Sequence, residues 1–254
     1  RFNIFLLLFG NLVAQNTSLV NEAKVLPTID GDVINDKAWE GISTINTFTQ
    51  KSPDEGNPST EQTIVKIMYS KKTFYVSVIC YDSDPSKIVI TDTRRDAPLD
   101  NTDSFKFIFD TYKDQQNGFV FGTNAGGIEY DAQVSGGGEG MSISSTRQSV
   151  GIGANFNINW DAAWEVKTKI GEYGWSAEFA IPFKTLRFTN EKYQSWGANF
   201  QRTIARRNEH VFWSPIPRQF SLNRLALAGT ITGINVPSSR NLKVMPYVLG
   251  NKNE

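Results

Sequence analysis

Apolar and polar residues alternate with period two along most of this chain. The clearest run lies in Gly174–Phe188, where Trp175, Ala177, Phe179 and Ile181 alternate with Ser176, Glu178 and Ala180. Successive side chains of a strand point to opposite faces, so the pattern predicts one face on a core and one mostly polar face outside. Pro182 offers no N–H to a ladder and should end the strand. Phe183–Phe188 then reads as a short helical turn or a bent edge. Upstream, Trp164, Val166, Thr168 and Ile170 alternate with Glu165, Lys167 and Lys169; downstream, Trp196, Ala198, Phe200, Arg202, Ile204 and Arg206 share one face. Gly171-Glu-Tyr-Gly174 suits a tight hairpin. The expectation is a three-strand meander on which the remaining chain packs.

The same reading gives further strands. Val25–Gly31 predicts a strand ending in an Asp-Gly turn, and Asn35–Trp39 a short helical turn whose Trp39 plugs one end of the core. Thr44–Phe48 is a short strand and Lys51–Thr60 a surface loop. Thr63–Tyr69 and Thr73–Tyr81 form a hairpin around Ser70-Lys-Lys72, the second strand apolar on both faces and hence central. Asp103–Asp110 is a strand with Phe105, Phe107 and Phe109 on one face. Phe119–Asn124 and Ile128–Gln133 form another hairpin. Ser135–Asn159, rich in Gly, Ser and Asn, reads as a long loop. Strands through Val211–Trp213 and over Leu227–Ile234 complete the chain. No long helical period and no dividing linker is visible. The fold class that follows is all-β: an antiparallel, jelly-roll-like β-sandwich of about 10–12 strands.

Charge and cysteine narrow the classes. The 26 basic and 26 acidic residues cancel, which argues against nucleic acid and anionic membrane surfaces as partners. Cys80 is the only cysteine, so an intrachain disulfide and a thiolate cluster are both excluded, and its apolar strand predicts a small buried hydrophobe. Residues 1–14, with the apolar run Ile4–Phe9 and then Leu12-Val-Ala14, read as a secretory signal. Residues 15–25 read as a short linker, 26–235 as the sandwich, and 236–254 as an exit segment.

Chemistry is sparser. His210 is the only histidine and stands in no catalytic or metal motif, so it reads as a surface or loop residue. A glycosidase needs two carboxylates facing one cleft, and the sequence singles out no pair; the expectation is a segment without catalysis. Calcium needs several oxygen ligands on a flexible loop; Asp110, Asp114 and Asn117 with Asp131 nearby offer one set, and Asp82 with Asp84 another, the alternative being solvated turn residues. Arg202 and Arg206 sit on an apolar face, where charge must be paired. Arg95, Asp96, Asp103, Glu178 and Glu209 are the expected partners in a structural network, or members of a polar ligand floor. Trp213, beside the loop Ser214–Asn223, is a candidate half-platform for a ligand or a core residue. Haem through Met68, Met141, Met245 or His210 has no motif behind it.

The order of several short motifs resembles the family 9 carbohydrate-binding modules. They are Ile29-Asp-Gly31 followed by Trp39, Tyr75-Val-Ser-Val78, Arg95-Asp96, Asp103–Asp110, Gly174-Trp-Ser-Ala-Glu-Phe-Ala-Ile-Pro-Phe183 and Trp196-Gly-Ala-Asn-Phe-Gln-Arg202. The resemblance spans roughly residues 26–235. It looks closest to the version of this domain at the N-terminus of large Gram-negative outer-membrane proteins of unknown function. It implies a β-sandwich, a poly- or oligosaccharide ligand, bound calcium, and a non-catalytic role in carbohydrate catabolism. Arg95, Asp96, Arg202, Arg206 and Trp213 are the ligand-binding candidates. Such modules clamp a sugar between two Trp side chains, one just before the strand matching Asp103–Asp110; here Ala97–Asn101 holds no aromatic, and an Arg expected on the next strand is replaced near Gly122. The alternative is therefore a structural or protein-interaction domain that lost the clamp and serves an outer-membrane barrel. Asn241–Leu249 alternates unevenly and is expected to lead into the first strands of such a barrel in the same chain, with Pro246 at the entry.

Overall fold

The computed structural model describes residues 15–138 and 155–236. These build two facing β-sheets with short 3-10 turns and no α-helix. The segment read as a secretory signal, Met141, Met245 and the residues after Val236, read as an exit segment, lie outside the described residues.

The larger sheet contains β1 (Thr17–Leu19), β4 (Thr49–Ser52), β7 (Ser104–Asp110), β8 (Gly118–Asn124), β9 (Tyr130–Val134), β10 (Phe156–Asn157), β13 (Tyr193–Ile204), β14 (Glu209–Phe212) and β15 (Gly229–Asn235). Its order is β1-β15-β13-β7-β8-β9-β10. The long β13 pairs with β7 along one edge, and on the other with β15 over its first half and β14 over its second. β4 continues the sheet beyond β14. The smaller sheet contains β2 (Asn21–Glu22), β3 (Thr44–Ile45), β5 (Thr63–Tyr69), β6 (Thr73–Tyr81), β11 (Glu165–Gly171) and β12 (Gly174–Pro182), in the order β11-β12-β6-β5-β2 with β3 also on β5.

Both hairpins and the central place of Thr73–Tyr81 follow the alternation. Three expectations are corrected. β11 and β12 pair, but β13 crosses to the opposite sheet, so the meander does not form. Val25–Gly31 is not a strand, whereas Thr49–Ser52 is one. The segment read as a linker supplies β1 and β2, which run parallel to β15 and β5 and so stitch both sheets at one edge.

The core between the sheets is aromatic. Phe105, Phe107 and Phe109 of β7 point inward with Phe200 and Trp196 of β13. Opposite them stand Phe74 of β6 and Phe179 of β12. Phe107 meets Phe179 edge-on with centroids 5.0 Å apart, and Phe74 meets Phe109 at 5.1 Å, both within the favourable range for ring pairs. Cys80 is fully buried here and free, its thiol pushed up to about 12 by desolvation.

Two polar side chains lock this core. Arg202 points from β13 into it and is fully buried. Its guanidinium donates to the Gln62 carbonyl at 2.9 Å, Thr63 Oγ1 at 3.1 Å and the Tyr81 carbonyl at 2.7 Å. It therefore bridges the larger sheet to the β5–β6 pair, mostly through carbonyls rather than the expected carboxylates.

Glu178 points the other way from β12, to the face expected to be polar and open. That face is covered: Val33, Ala38 and Trp39 pack on Met68, Tyr75 and Ile79. Trp39 is thus a lid on the outer face of the smaller sheet, carried by the 3-10 turn Lys37–Trp39 that Asp36 caps through the Ala38 N–H. The Glu178 carboxylate accepts from Trp39 Nε1 at 2.7 Å and from the backbone N–H groups of Asp30 and Gly31 at 3.0 and 2.9 Å. Gly31 has φ +88°, and a Cβ there would lie 2.5 Å from the Thr168 carbonyl carbon, so only glycine lets the cover lie flat on β11.

Two stability predictions follow from these locks. Arg202→Met should lower unfolding free energy by about 2–4 kcal/mol, because the Thr63 hydroxyl and the Gln62 and Tyr81 carbonyls lose the donor that ties the sheets together, and Arg202→Lys should recover little, since an ammonium cannot span the fork. Glu178→Ala should cost about 3–5 kcal/mol by leaving three donors unanswered. Urea midpoints equal to wild type would contradict either assignment.

Candidate functional site

Site geometry starts at Asp131. It lies on β9 opposite Phe121, its side chain only 1% exposed. One carboxylate oxygen accepts from Arg95 Nη2 at 2.6 Å and the other from the Ala162 N–H at 2.8 Å. Burial pushes the Asp131 carboxyl up, and the Ala162 N–H and the Arg95 charge draw it back. Arg95 also reaches Asp161 at 2.7 Å and Glu129, with Asp96 at 3.7 Å. Asp96 adopts φ +57°, and its N–H donates to the Glu129 carbonyl. One guanidinium thus gathers four carboxylates from three segments.

This cluster sets the wall of a cleft of about 310 Å³ lined by Trp160, Asp161, Ala162, Ala163, Lys184 and Thr185. Asp131 fixes the backbone at Ala162. Thr185 Oγ1 donates to the Ala163 carbonyl at 2.8 Å and fixes the opposite side. The half-buried Trp160 ring rests on Phe119 and Phe121, with centroids 5.0 and 5.9 Å away. Asp161 beside it is 80% exposed at the side chain. The cleft joins an indole held by the core to an exposed carboxylate shared with Arg95, an ammonium and a hydroxyl, a combination of apolar surface with a few fixed polar groups that suits a small polyhydroxylated ligand.

Other sequence candidates fall elsewhere. Trp213 is 6% exposed, packs on Phe200 at 5.6 Å, and belongs to the core rather than to an open platform. Arg206 pairs with Glu61 at 2.7 Å and Asp82 at 2.6 Å, and Arg207 joins Glu61. The expected network is therefore split. Glu209 accepts from the Thr60 N–H and hydroxyl. Asp103 accepts from the Val89 N–H, its carboxyl pushed up by burial and drawn back by that N–H and by Arg202. Arg95 and Asp96 form the separate cluster above.

The calcium set does not converge. Asp110 accepts from the N–H groups of Asp114 and Gln115. Asp114 accepts from the Gln116 and Asn117 N–H groups and from the Asn117 side-chain amide. The carboxylates close the turn, Asn117 presents its donor, and Asp131 is bound to Arg95 elsewhere. Asp84 is taken up by Ser86 and Lys87. Among the described residues no group of three or more His, Cys, Asp or Glu side chains is placed to hold a metal.

At the position of the missing clamp, Ala97 and Leu99 are buried with Ile128. A Cβ on Gly122 would lie 2.8 Å from Lys106 Cγ and 2.9 Å from Leu99 Cδ1. The bare glycine backbone is what lets those side chains settle over β8. Sequence reading missed Trp160, Asp161, Glu61 and Lys184. The available signal for the first was a Trp outside any period-two run, directly after a Gly- and Asn-rich stretch.

Arg95→Ala should lower stability by about 1–3 kcal/mol at neutral pH, since Asp131 would be left buried with only the Ala162 N–H. The folded-state pKa of Asp131 is raised, so its burial costs stability as pH rises through the interval above the unfolded value of 3.8. The gap between wild type and variant should therefore narrow on acidification, as followed by melting temperature against pH. A gap that widens in acid would contradict the assignment.

No family model matches the sequence, and no curated protein is detectably similar to it. Solved structures are similar in fold. A candidate carbohydrate-binding protein from Bacteroides uniformis ATCC 8492 aligns with a TM-score of 0.62 at 11% identity, covering 86% of this chain and 99% of its own. A family 9 carbohydrate-binding module from Caldicellulosiruptor kristjanssonii in complex with cellotriose gives 0.52 at 17% identity, covering 92% of this chain and 100% of its own. The same organism's family 9 module in complex with glucose gives 0.53 at 17%, covering 90% and 100%. The chain has an all-β sandwich fold like that of carbohydrate-binding modules.

Proposed function

We propose that this domain is a non-catalytic saccharide-binding module and that the Trp160 cleft holds the sugar. The observation that carries this reading is the cleft itself, where Trp160, Asp161, Lys184 and Thr185 meet on a sandwich like those of the modules solved with cellotriose and glucose. An aromatic ring supports the apolar face of a pyranose, while the charged groups hydrogen-bond to its hydroxyls. The four carboxylates around Arg95 share one guanidinium, an arrangement that anchors loops rather than separating an acid from a base. We read the parent protein as exported and outer-membrane-associated, serving carbohydrate catabolism; the apolar run Ile4–Phe9 supports export.

A second reading rests on Leu99 and Lys106 filling the space over Gly122. It makes the domain a structural or interaction module for an outer-membrane barrel.

Calorimetric titration with cellotriose and a panel of oligosaccharides separates the two. Saccharide binding should appear in the wild type and weaken at least tenfold in Trp160→Ala, a variant that also loses ring packing on Phe119 and Phe121 and should melt lower while remaining folded by circular dichroism. Silence across the panel, together with co-purification of a membrane β-barrel, would favour the second reading. Binding unaffected by Trp160→Ala would move the site away from the cleft.

A further inference from the structure

A second cluster of chemistry lies on the outer face of the larger sheet. Phe105 and Phe107 point into the core, so Lys106 between them points out. In register with it are Gly122 on β8, Tyr130 on β9 and Gln201 on β13. One step along, Thr203 of β13 pairs with His210 of β14, which pairs with Ser52 of β4. Lys51 stands at the irregularity where β4 meets β14. Beside it on this outer face is an apolar patch: Ile108, Val120, Ala132 and Phe212 are covered by Ile216, Leu222 and Leu225. Where that cover stops, the face turns basic.

The charges there do not balance. Lys106, 14% exposed at the side chain, pairs with Asp100 at 2.9 Å. Lys51 is half-buried and has no ion pair among the described residues. Its ammonium is held below the ordinary lysine range by burial and then by the charge of Lys106, with Asp100 and Glu55 opposing. His210 Nδ1 lies 3.1 Å from Thr203 Oγ1, and burial and then the two lysines keep the ring neutral to lower pH than usual. Two cations and an imidazole thus share Asp100, while the second acid near Lys51, Glu55, is engaged by Arg218 at 3.4 Å. An unpaired, partly desolvated cation is costly on a face with no other role.

We infer that Lys51, Lys106 and His210 form an oxyanion-binding site, for a carboxylate, sulfate or phosphate group, on the outer face of the larger sheet. A bound anion would lie between the ammonium groups of β4 and β7 and supply the missing negative charge. His210, on β14 between those strands, would gain a partner for its protonated form. The ligand is either a small free oxyanion or an acidic sugar bearing such a group, and the site stands apart from the Trp160 cleft.

His210 is the only histidine, so its ring protons give one unambiguous magnetic-resonance signal. The full chain is titrated with inorganic sulfate, with a trimer of galacturonic acid, and with neutral cellotriose. Either anion should shift the His210 signal saturably and raise its titration midpoint. Cellotriose should leave it in place. Lys51→Gln should weaken the anion response about tenfold, whereas Trp160→Ala should not alter it. Response to sulfate alone assigns a free oxyanion, and a tighter response to the uronate assigns an acidic sugar. A His210 signal that neither anion moves, or a Lys51→Gln protein that titrates like wild type, overturns the site.

Discussion

The guanidinium of Arg202 is the constraint that joins the two halves of this fold. Apolar packing between the sheets is strong but has little direction, and it would tolerate sliding of one layer over the other. A fully buried cation tolerates none, because each N–H it loses is paid at the desolvation cost of a charged group. By holding the Gln62 and Tyr81 carbonyls and the Thr63 hydroxyl, Arg202 fixes where β13 lies over the β5–β6 pair. The ring contacts of Phe107 with Phe179, and of Phe74 with Phe109, are then set in one register.

Outside the core the same physics recurs with the opposite sign. Glu178 and Asp131 are buried carboxylates that accept backbone N–H groups from segments distant in sequence. Glu178 pins the cover of the smaller sheet. Asp131 pins Ala162, and with it the indole and carboxylate of the cleft. The wall of the cleft is thus set from β9 of the larger sheet, and Asp161 stays 80% exposed while sharing Arg95.

Much of the architecture was legible because period two is a local property. Phe105, Phe107 and Phe109, the Thr63–Tyr81 hairpin and the Trp175–Ile181 face all carry their orientation in their own sequence. What was illegible was non-local. The alternation of β13 is the same whichever sheet it joins, so nothing in Trp196–Arg206 announces its crossing. Glu178 read as a partner for Arg202 or Arg206, because its true partners, Asp30, Gly31 and Trp39, lie far away in the chain. Arg202 was legible as a buried charge needing partners, but its partners are mainly carbonyls, which every residue carries and no composition reveals. The resemblance in motif order matched the fold, while the ligand groups it suggested dispersed: Trp213 into the core, Arg206 to Glu61 and Asp82, and the Asp110 loop onto its own backbone.

The parallel pairing of β1 with β15 has a consequence for how the chain is made. Thr17–Leu19 is among the earliest described segments to leave the ribosome, and its ladder partner Gly229–Asn235 is among the latest. The edge of the larger sheet therefore stays open at least until β15 has been synthesised. It closes only by a loop spanning nearly the whole domain, the kind of distant contact that slows folding to the millisecond-to-second range. Until then an unpaired strand edge is on offer to other chains, and a holding chaperone would shield it.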